Sequence, residues 1–303
     1  MSENISISCI IIGYNSIKQL PELLLSINQQ NYTGKDVEII YVDDGSGDGS
    51  LDIFNQYTLK YQKEGFGLLE NRGRMFARLE GAKHARGQWC LFLNSSTLLH
   101  ENILSEYSEA INQNAFKGYI GSVYYTSKDK FFESYLNGKN RGSNKLSHLA
   151  IVPYYNVLLS NCLIRSDILN GLDWNTDMNK YGGEELNFAF SLYLQYPNII
   201  RLYKSAIVYR SNHPSFSDHC KRMNEFGRTN FKKLDIHLQI QIIKSRFVLW
   251  SFPGCYYFFQ KIVKISSILY DSKYNKIKFL IIRVGLWASL LSGYHASNRF
   301  KSS

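Results

Sequence analysis

Short apolar runs alternate with amphipathic segments along the first 95 residues. Three runs, at 5–15, 37–50 and 88–96, are continuously apolar until they end in small polar or acidic residues, which is typical of buried strands followed by loops. Helical spacing separates them, at Leu20, Leu23, Leu24 and Ile27, at Leu51, Phe54 and Tyr57, and through 77–87. This pattern predicts strand–helix–strand units and therefore an α/β domain built on a parallel sheet.

Polar residues follow each of the three predicted strands. They are Gly13-Tyr14-Asn15, Asp43-Asp44 and Asn94-Ser95-Ser96. In open parallel sheets, ligands bind outside the carboxyl ends of the strands. We therefore expect these residues to line one crevice.

The periodicity weakens after about residue 110. Residues 131–148 are polar and predict a mobile loop, and 154–169 predict a strand that leads into a helix. Residues 181–197 place two carboxylates, Glu184 and Glu185, just before an amphipathic helix whose predicted apolar stripe is Leu186, Phe190 and Leu194.

Charge separates the C-terminal region from the rest of the chain. Residues 221–303 contain 15 Lys/Arg and 3 Asp/Glu, a net charge of +12, whereas the whole chain of 303 residues carries +10. The first 220 residues are therefore close to neutral, and the basic region is expected to meet an anionic partner. The length is sufficient for one large α/β domain with such an extension.

Cysteine usage and the N-terminal residues both favour a cytoplasmic protein. The five cysteines are scattered without a C-x-x-C pair, which predicts neither a disulfide framework nor a zinc site. The first 15 residues lack a basic region and a cleavage pattern, so no secretory signal is expected there.

The acidic turn at 43–50 allows two interpretations. Asp and Gly favour turns, so this segment could simply close a strand. Alternatively, Asp43 or Asp44 binds the polar edge of a ligand, such as ribose hydroxyls or a base N–H. A G-x-G-x-x-G loop does not follow the first strand, which argues against a dinucleotide enzyme.

Four stretches taken together are more specific than any one of them. Residues 7–15, 23–50, 71–96 and 162–188, in this order and spacing, resemble the family 2 glycosyltransferases. The resemblance implies the GT-A fold, a central and mainly parallel sheet flanked by helices, and inverting transfer from a nucleotide-activated sugar. It implies a catalytic domain at 1–220, followed by a helical extension at 221–303.

The resemblance also implies roles for individual residues. Tyr14 matches an aromatic residue that lies against the nucleotide base, and Asp44, with Asp43, matches the acidic pair that holds base and ribose. Arg78 matches a basic residue near the donor. These four are therefore candidate donor-binding residues.

Glu184 and Glu185 match the family's Glu-Asp pair, whose second member is the usual catalytic base. A carboxylate there would take the proton of an acceptor hydroxyl. The competing interpretation is a helix N-terminus carrying acidic residues, which the helix dipole favours on its own.

The end of the third strand departs from the family pattern. Relatives have an Asp-x-Asp motif there, often with a further acid, whereas this chain has Asn94, Ser96 and Thr97. Asn94 and Ser96 could still bind a ribose, but Mg²⁺ and Mn²⁺ prefer anionic oxygen ligands. The chain predicts a metal site that is weak at best, formed by Ser96 and by His213, which resembles a histidine that assists the metal or the diphosphate.

Three explanations for this departure stay open. The enzyme could be metal-independent and stabilise the leaving diphosphate with cations, for which the candidates are Arg72, Arg74, Arg78, His213, Lys221 and Arg222. A weak site could recruit a cation through the donor's phosphates and water. The chain could instead be a catalytically inactive relative, although the acidic pair argues against this. For His213 the alternative is an ordinary loop histidine.

The basic region alternates aromatic, aliphatic and cationic residues. Pro253, Gln260, Lys261 and Arg283 interrupt its apolar runs, so no uninterrupted membrane span is predicted. Helices of this composition lie at anionic membrane surfaces. A helical subdomain that packs on protein is the alternative, and nucleic acid is disfavoured because no nucleic-acid motif accompanies the charge.

The sequence thus predicts an inverting glycosyltransferase at the inner face of the cytoplasmic membrane. Its expected donor is a UDP-sugar, and its expected acceptor is a glycan or lipid-linked glycan of surface polysaccharide or lipo-oligosaccharide synthesis, by analogy with the family. The alternative is a non-catalytic, sugar-nucleotide-binding or membrane-associated assembly partner. The oligomeric state stays open.

Overall fold

Two compact units make up the chain, and the computed structural model describes residues 5–113, 116–244, 255–271 and 277–299. The first unit comprises Met1–Thr126, Leu136–Asn179 and Phe188–Asn212, and the second comprises Ser127–Tyr135, Lys180–Asn187 and His213–Ser303. The domain boundary predicted at residue 220 falls inside a helix, and the second unit includes two internal segments besides the C-terminal region.

A sheet of eight strands forms the centre of the first unit. The strands are β1 (Ile7–Gly13), β2 (Val37–Asp43), β3 (Gln62–Gly67), β4 (Trp89–Asn94), β5 (Thr97–Leu99), β6 (Gly118–Ser127), β7 (Asn161–Arg165) and β8 (Ile200–His213). Their order is β3-β2-β1-β4-β7-β6-β8-β5. The first four in this order are parallel, whereas β7 is antiparallel to both β4 and β6, and β5 is antiparallel to β8. The sheet is therefore mixed, with its parallel half built from the N-terminal strands.

Helices pack on the sheet and build most of the second unit. They are α1 (Leu20–Asn28), α2 (Ser50–Gln56), α3 (Arg74–His84), α4 (Ile103–Gln113), α5 (Lys130–Leu136), α6 (Ser166–Leu169), α7 (Glu184–Gln195), α8 (Phe216–Arg228), α9 (Ile236–Lys244), α10 (Cys255–Asp271) and α11 (Lys278–Arg299). The four apolar residues that predicted α1 are all buried. Burying such a side chain contributes about 1.5–3 kcal/mol. The predicted α/β class with a C-terminal helical region is confirmed.

The central parallel strands bring three loops to one edge of the sheet. Every residue of β1, β2 and β4 is buried, as expected for strands covered on both faces. Gly13 pairs with Asp43, and Ile12 pairs with Asn94. The loops after these strands therefore begin side by side, as the sequence predicts.

Three local expectations differ from the structure. β3 was not predicted, because it is a largely exposed edge strand without an apolar pattern. The polar segment 131–148 continues α5 and then forms a 3₁₀ turn at Gly142–Lys145 instead of an irregular loop. Of the stripe predicted for α7, Phe190 is buried and Leu186 is half-buried, whereas Leu194 is 58% exposed. The helix buries Phe188 and Leu192 as well.

The helices α8, α10 and α11 pack tightly within the second unit. A Cβ atom on Gly227 of α8 would lie 2.1 Å from the carbonyl oxygen of Leu290, and one on Gly293 of α11 would lie 2.0 Å from that of Asn224. The two glycines thus let the helix backbones approach closely. Cys255 and Phe259 of α10 are buried in a common cluster with Ala288 and Leu291 of α11.

Helix α11 bears on the prediction that the C-terminal region contains no membrane span. Within the described residues, Lys278–Ser297 is long and apolar enough to cross a membrane by length and composition, despite Arg283, and half of it is buried inside the protein. A buried core helix meets the same criteria, so this is weak evidence for a span. Pro253, which was expected to interrupt the preceding run, lies outside the described residues.

Candidate functional site

The loop after β1 presents an aromatic ring and is tied to both neighbouring loops. Tyr14 is 52% exposed. The next residue, Asn15, has a φ of 49°, and its backbone N–H donates to Ser46 Oγ at 2.8 Å. The hydroxyls of Ser16 and Ser95 share a hydrogen bond of 2.8 Å. The three loops at this edge therefore form one connected surface.

Asp43 builds the turn after β2. Its Oδ1 accepts from the backbone N–H of Ser46 at 2.5 Å, and its Oδ2 accepts from Ser50 Oγ at 2.9 Å. Asp48 extends this network, because its Oδ2 accepts from the backbone N–H of Ile17 at 2.9 Å. The turn interpretation thus holds for Asp43, whose carboxylate is buried and fixed in place.

Asp44 holds the loop that leads into α3. Its two carboxylate oxygens accept from the backbone N–H groups of Arg72 at 2.8 Å and Gly73 at 3.0 Å. Burial raises the pKa of the Asp44 carboxyl, although these two hydrogen bonds act in the opposite direction. Each oxygen keeps a further lone pair, so a fixed carboxylate can still accept from a base N–H or a ribose hydroxyl.

Arg78 lies beneath the end of β4. It is fully buried on α3, and its Nη2 donates to Oδ1 of Asn94 at 2.9 Å. Arg78 has no exposed surface, and its hydrogen bond to Asn94 connects it to the end of β4. Its role in donor binding stays a prediction. Since Oδ1 accepts from the guanidinium, the Asn94 amide presents Nδ2, a hydrogen-bond donor, elsewhere.

The residues at the end of β4 do not fit a divalent cation. The Asn94 oxygen already meets a guanidinium, and a dication at the same atom would be repelled by that charge. Ser96 offers a neutral hydroxyl, and Thr97 is fully buried. Among the described residues, no three His, Cys, Asp or Glu side chains lie together so as to hold a metal ion.

The other arginines of this loop differ in position. Arg72 is exposed, and its guanidinium lies 4.0 Å from the ring centroid of Phe76. Arg74 is the first residue of α3 and is half-buried. Arg72 therefore has a solvent-facing charge beside the carboxylate of Asp44.

The two glutamates that were predicted to contain the catalytic base are the first residues of α7 and lie in the second unit. Glu184, the first residue of the helix, is 3% exposed, whereas Glu185 is half-buried. Gly182 and Gly183 precede them with φ values of 95° and 86°, a conformation that favours glycine. A Cβ atom on Gly183 would lie 2.4 Å from the Phe226 ring. Of the two carboxylates, Glu185 is the one an acceptor can reach.

Asn230 and Asn187 fix this turn. The buried Asn230 donates through Nδ2 to the carbonyls of Lys180 at 2.7 Å and Gly182 at 3.0 Å. Asn187 accepts through Oδ1 from the backbone N–H of Asp235 at 2.7 Å. The backbone before the acidic pair is therefore held by the segment after α8, which keeps the carboxylates in place.

The remainder of α7 is anchored in the first unit. Phe188 contacts Trp174, with ring centroids 4.7 Å apart, and Trp174 contacts Phe92 of β4 at 5.9 Å. Phe188 and the residues after it in α7 therefore belong to the apolar core of the first unit.

His213 belongs to a small aromatic group in the second unit. Its ring centroid lies 5.4 Å from that of His219 and 5.8 Å from that of Phe132. Its Nδ1 is 3.1 Å from the Pro214 carbonyl, which favours the tautomer that keeps Nε2 as an acceptor. Two further cations that the sequence singled out follow on α8: Lys221 pairs with Asp218 and Arg222 lies over the Tyr181 ring.

The structure thus unites Tyr14, Asp43, Asp44, Asn94 and Ser96 at one edge of the first unit. Glu184, Glu185 and His213 lie in the second unit. Sequence reasoning did not find the contributions of Asp48 and Asn230. The Asp48–Ser50 spacing is a local signal for an Asx-turn, whereas Asn230 acts on residues about fifty positions away and gives no local signal.

Several known proteins with similar sequences are glycosyltransferases. A poly(ribitol-phosphate) beta-glucosyltransferase of Bacillus spizizenii is 40% identical over 102 residues, which cover 32% of this chain and 16% of that protein. Glycosyltransferase GlyG of Streptococcus pneumoniae is 30% identical over 142 residues, 46% of each chain. The chain thus spans less than half the length of either relative.

A solved structure shares the fold, and a family model matches the sequence. The structure of Staphylococcus aureus TarS 1–349 in complex with UDP-GlcNAc aligns with a TM-score of 0.59 at 17% identity, over 98% of this chain and 92% of that one. The fold is accordingly that of the GT-A glycosyltransferases. The model of glycosyl transferase family 2 matches residues 8–166, more than half of the sequence, and the chain therefore belongs to glycosyl transferase family 2.

Proposed function

We propose that this protein is an inverting glycosyltransferase that uses a UDP-sugar. The observation that carries the proposal is the connected edge of the first unit, where the loop of the exposed Tyr14 ring lies beside the turn built by Asp43 and the fixed carboxylate of Asp44. An aromatic face and oriented acceptors suit a nucleoside. TarS, which has this fold, has been solved with UDP and with UDP-GlcNAc.

The chemical step is assigned to Glu185. Its carboxylate is partly accessible at the start of α7, so it can take the proton of an acceptor hydroxyl as the hydroxyl oxygen attacks the anomeric carbon. The bond from that carbon to the nucleotide breaks on the opposite face, and the diphosphate leaves with the electron pair. A single displacement of this kind inverts the configuration. The buried Glu184 is then a supporting residue.

We further propose that the leaving diphosphate is stabilised without a divalent cation. Arg78 polarises the amide of Asn94 by donating to its oxygen, which makes Nδ2 a stronger donor. Arg72 adds an exposed guanidinium, a group that meets phosphates in a bidentate manner. These groups would replace the charge that the Asp-x-Asp motif recruits in relatives.

Titration of UDP into the protein by calorimetry, once with Mn²⁺ and once with EDTA, tests the donor and the metal together. Equal affinity is expected, because the end of β4 offers a cation only neutral oxygens. UDP-sugars would then be screened for turnover in EDTA. Binding only with Mn²⁺ would overturn metal independence, and no UDP binding in either condition would overturn the UDP-sugar assignment.

The proposed acceptor is a glycan or lipid-linked glycan of the cell surface. The relatives include enzymes named for transfer to poly(ribitol-phosphate) and, in Borreliella burgdorferi, to cholesterol. One of these names gives a polyol-phosphate polymer and the other a lipid as the acceptor, which supports a glycan or lipid-linked acceptor here. A non-catalytic partner would also explain the neutral residues at the end of β4, and Glu185→Gln distinguishes such a partner from an enzyme.

We also propose that the second unit holds the protein at the inner face of the cytoplasmic membrane. Helix α10 exposes Ile265 and Ile268, which are 55% and 61% accessible, next to the exposed Lys261 and Lys264. Apolar side chains flanked by lysines suit the headgroup region of an anionic bilayer.

Substituting Asp at both Ile265 and Ile268 is expected to lower binding to phosphatidylglycerol vesicles by about tenfold or more, because two apolar contacts are lost and negative charge is added. Vesicle sedimentation measures this. Ile236→Asp, which alters an isoleucine 59% exposed on α9, is the matched control. Unchanged vesicle binding would contradict the membrane assignment and favour packing against another protein chain.

A further inference from the structure

A pocket opens in the first unit, separate from the loops after β1, β2 and β4. Its volume is about 280 Å³, close to the lower end for ligand sites, which start near about 300 Å³, so it can hold a single sugar or polyol unit. Its lining is Val123, Tyr125, Leu136, Arg141, Gly142, Ser143, Asn144, Tyr155, Asn156 and Leu158. Nothing in the donor site uses these residues.

Strand register places this pocket at the same edge of the sheet as the donor loops. β7 runs antiparallel to β4, with Asn161 opposite Leu93, and β6 runs antiparallel to β7. The start of β7 and the end of β6 therefore lie at the edge where β4 ends. β6 is two strands from β4, roughly 10 Å away at the usual strand spacing. The pocket lies on the side of β4 opposite to Asp43 and Asp44.

The pocket is built and ordered by its own hydrogen bonds. Asn137 accepts from the backbone N–H of Tyr125 at 2.9 Å and donates to its carbonyl at 2.8 Å, which fixes the following segment to the end of β6. On the other wall, the 3₁₀ turn Tyr154–Asn156 follows Pro153 and leads towards β7. A rigid wall on each side means that a ligand need not order the site.

The lining combines an aromatic face with polar donors. Tyr155 is 61% exposed, and its ring contacts that of Tyr154 edge-to-face with centroids 5.4 Å apart, so the remaining ring surface is open to a ligand. The Nδ2 group of Asn156 is shielded from solvent and, in the part of the chain that the structure describes, donates no hydrogen bond. Such a group has a free-energy cost that a ligand acceptor would remove after a small rotation of the side chain.

Charge around the pocket is positive. Arg141 lines it, and the exposed Lys139 and Lys145 lie on the same segment. Residues 136–150 contain no Asp or Glu, and neither does the lining. A neutral sugar has no need of this charge, whereas a phosphodiester is attracted by it.

We propose that this pocket binds a phosphate-bearing unit of the acceptor, so that the acceptor is an anionic polyol-phosphate or glycan-phosphate chain. The Tyr155 ring packs against the carbon skeleton of the unit, Asn156 donates to one of its oxygens, and Arg141 meets the adjacent phosphate. This inference rests on the proposed transferase function and specifies its acceptor.

Binding of a poly(ribitol phosphate) oligomer to the full-length protein in the presence of UDP tests this inference. A dextran oligomer of matched length is the uncharged control. Tyr155→Ala and Arg141→Gln are each expected to weaken polymer binding by about tenfold, through loss of the aromatic contact and of the charged hydrogen bond. UDP affinity should stay unchanged in both variants, which also reports that they are folded.

Two matched variants control for exposure and charge. Tyr257→Ala changes a tyrosine 54% exposed on α10, and Lys35→Gln removes an exposed cation just before β2, at the opposite edge of the sheet. Neither should alter polymer binding. Added salt should weaken wild-type binding, because the contact is largely ionic.

Three results would overturn the inference. Dextran could bind as tightly as the polymer, or polymer binding could be absent or unchanged in both pocket variants. The pocket variants could also lose binding to phosphatidylglycerol vesicles while they keep binding to the polymer. The last would assign the phosphate to a lipid headgroup. If the wild-type protein does not bind UDP, the proposed function is contradicted instead. Failure of the acceptor inference and failure of the proposed function are therefore distinguishable.

Discussion

Glu185→Gln is expected to lower turnover of the UDP-sugar by about 10²- to 10⁴-fold, the usual contribution of a general base, while UDP affinity stays the same. Gln has almost the same shape as Glu but cannot take a proton at neutral pH. Glu185 is half-buried at the start of α7, so the change adds no steric clash and removes no apolar packing. Turnover is measured as release of UDP with acceptor present, and affinity by calorimetry.

Two further variants serve as controls for Glu185→Gln. Glu185→Asp introduces the residue that the family's Glu-Asp pair has at this position, and the variant should retain part of the activity. Glu225→Gln alters an exposed glutamate on α8 and should leave turnover unchanged. If Glu185→Gln keeps full turnover, the base is another group and the assignment is wrong.

The same experiment separates the enzyme from a binding partner. A non-catalytic protein would bind UDP in both the wild-type and Glu185→Gln forms, with no sugar transfer from either. Retention of an accessible glutamate on a turn fixed by Asn230 argues for catalysis, because binding alone does not need a base held in place.

The parallel half of the sheet was predictable because its signal is local. β1, β2 and β4 are continuously apolar since both of their faces are covered, and their ends carry the polar residues that line the site. β3 has no such signal because it lies at the edge of the sheet. The stripe assigned to α7 was wrong at Leu194 because the core contacts the helix through Phe188, beside Trp174, on a different face.

The positions of the candidate residues at the strand ends were predictable, but their contacts were not. Asp43 and Asp44 are adjacent in sequence, yet one closes its own turn and the other holds the loop at Arg72, twenty-eight positions away. The pairing of Arg78 with Asn94 also depends on how α3 packs against the sheet. The positions at the strand ends and the family resemblance point to these side chains, whereas their partners follow only from tertiary structure.

Asn94→Asp is expected to make UDP binding depend on Mn²⁺. One carboxylate oxygen would keep the hydrogen bond from Arg78, now as an ion pair, and the other would replace the Nδ2 donor. An anionic oxygen at the end of β4 repels the diphosphate when no cation is present and offers a hard ligand when one is. In EDTA, UDP affinity should fall by about tenfold, which corresponds to about 1.4 kcal/mol, and Mn²⁺ should restore it.

Asn94→Ala separates this effect from simple loss of the amide. It removes the oxygen that accepts from the buried Arg78, so it should destabilise the fold by about 1–3 kcal/mol without creating a response to Mn²⁺. Adding Ser96→Asp to Asn94→Asp supplies a second carboxylate and should strengthen the dependence. If Asn94→Asp binds UDP equally with Mn²⁺ and with EDTA, the neutral end of β4 does not set the metal requirement. The cationic groups Arg72 and Arg78 would then be sufficient even beside a carboxylate, and they would be the next residues to change.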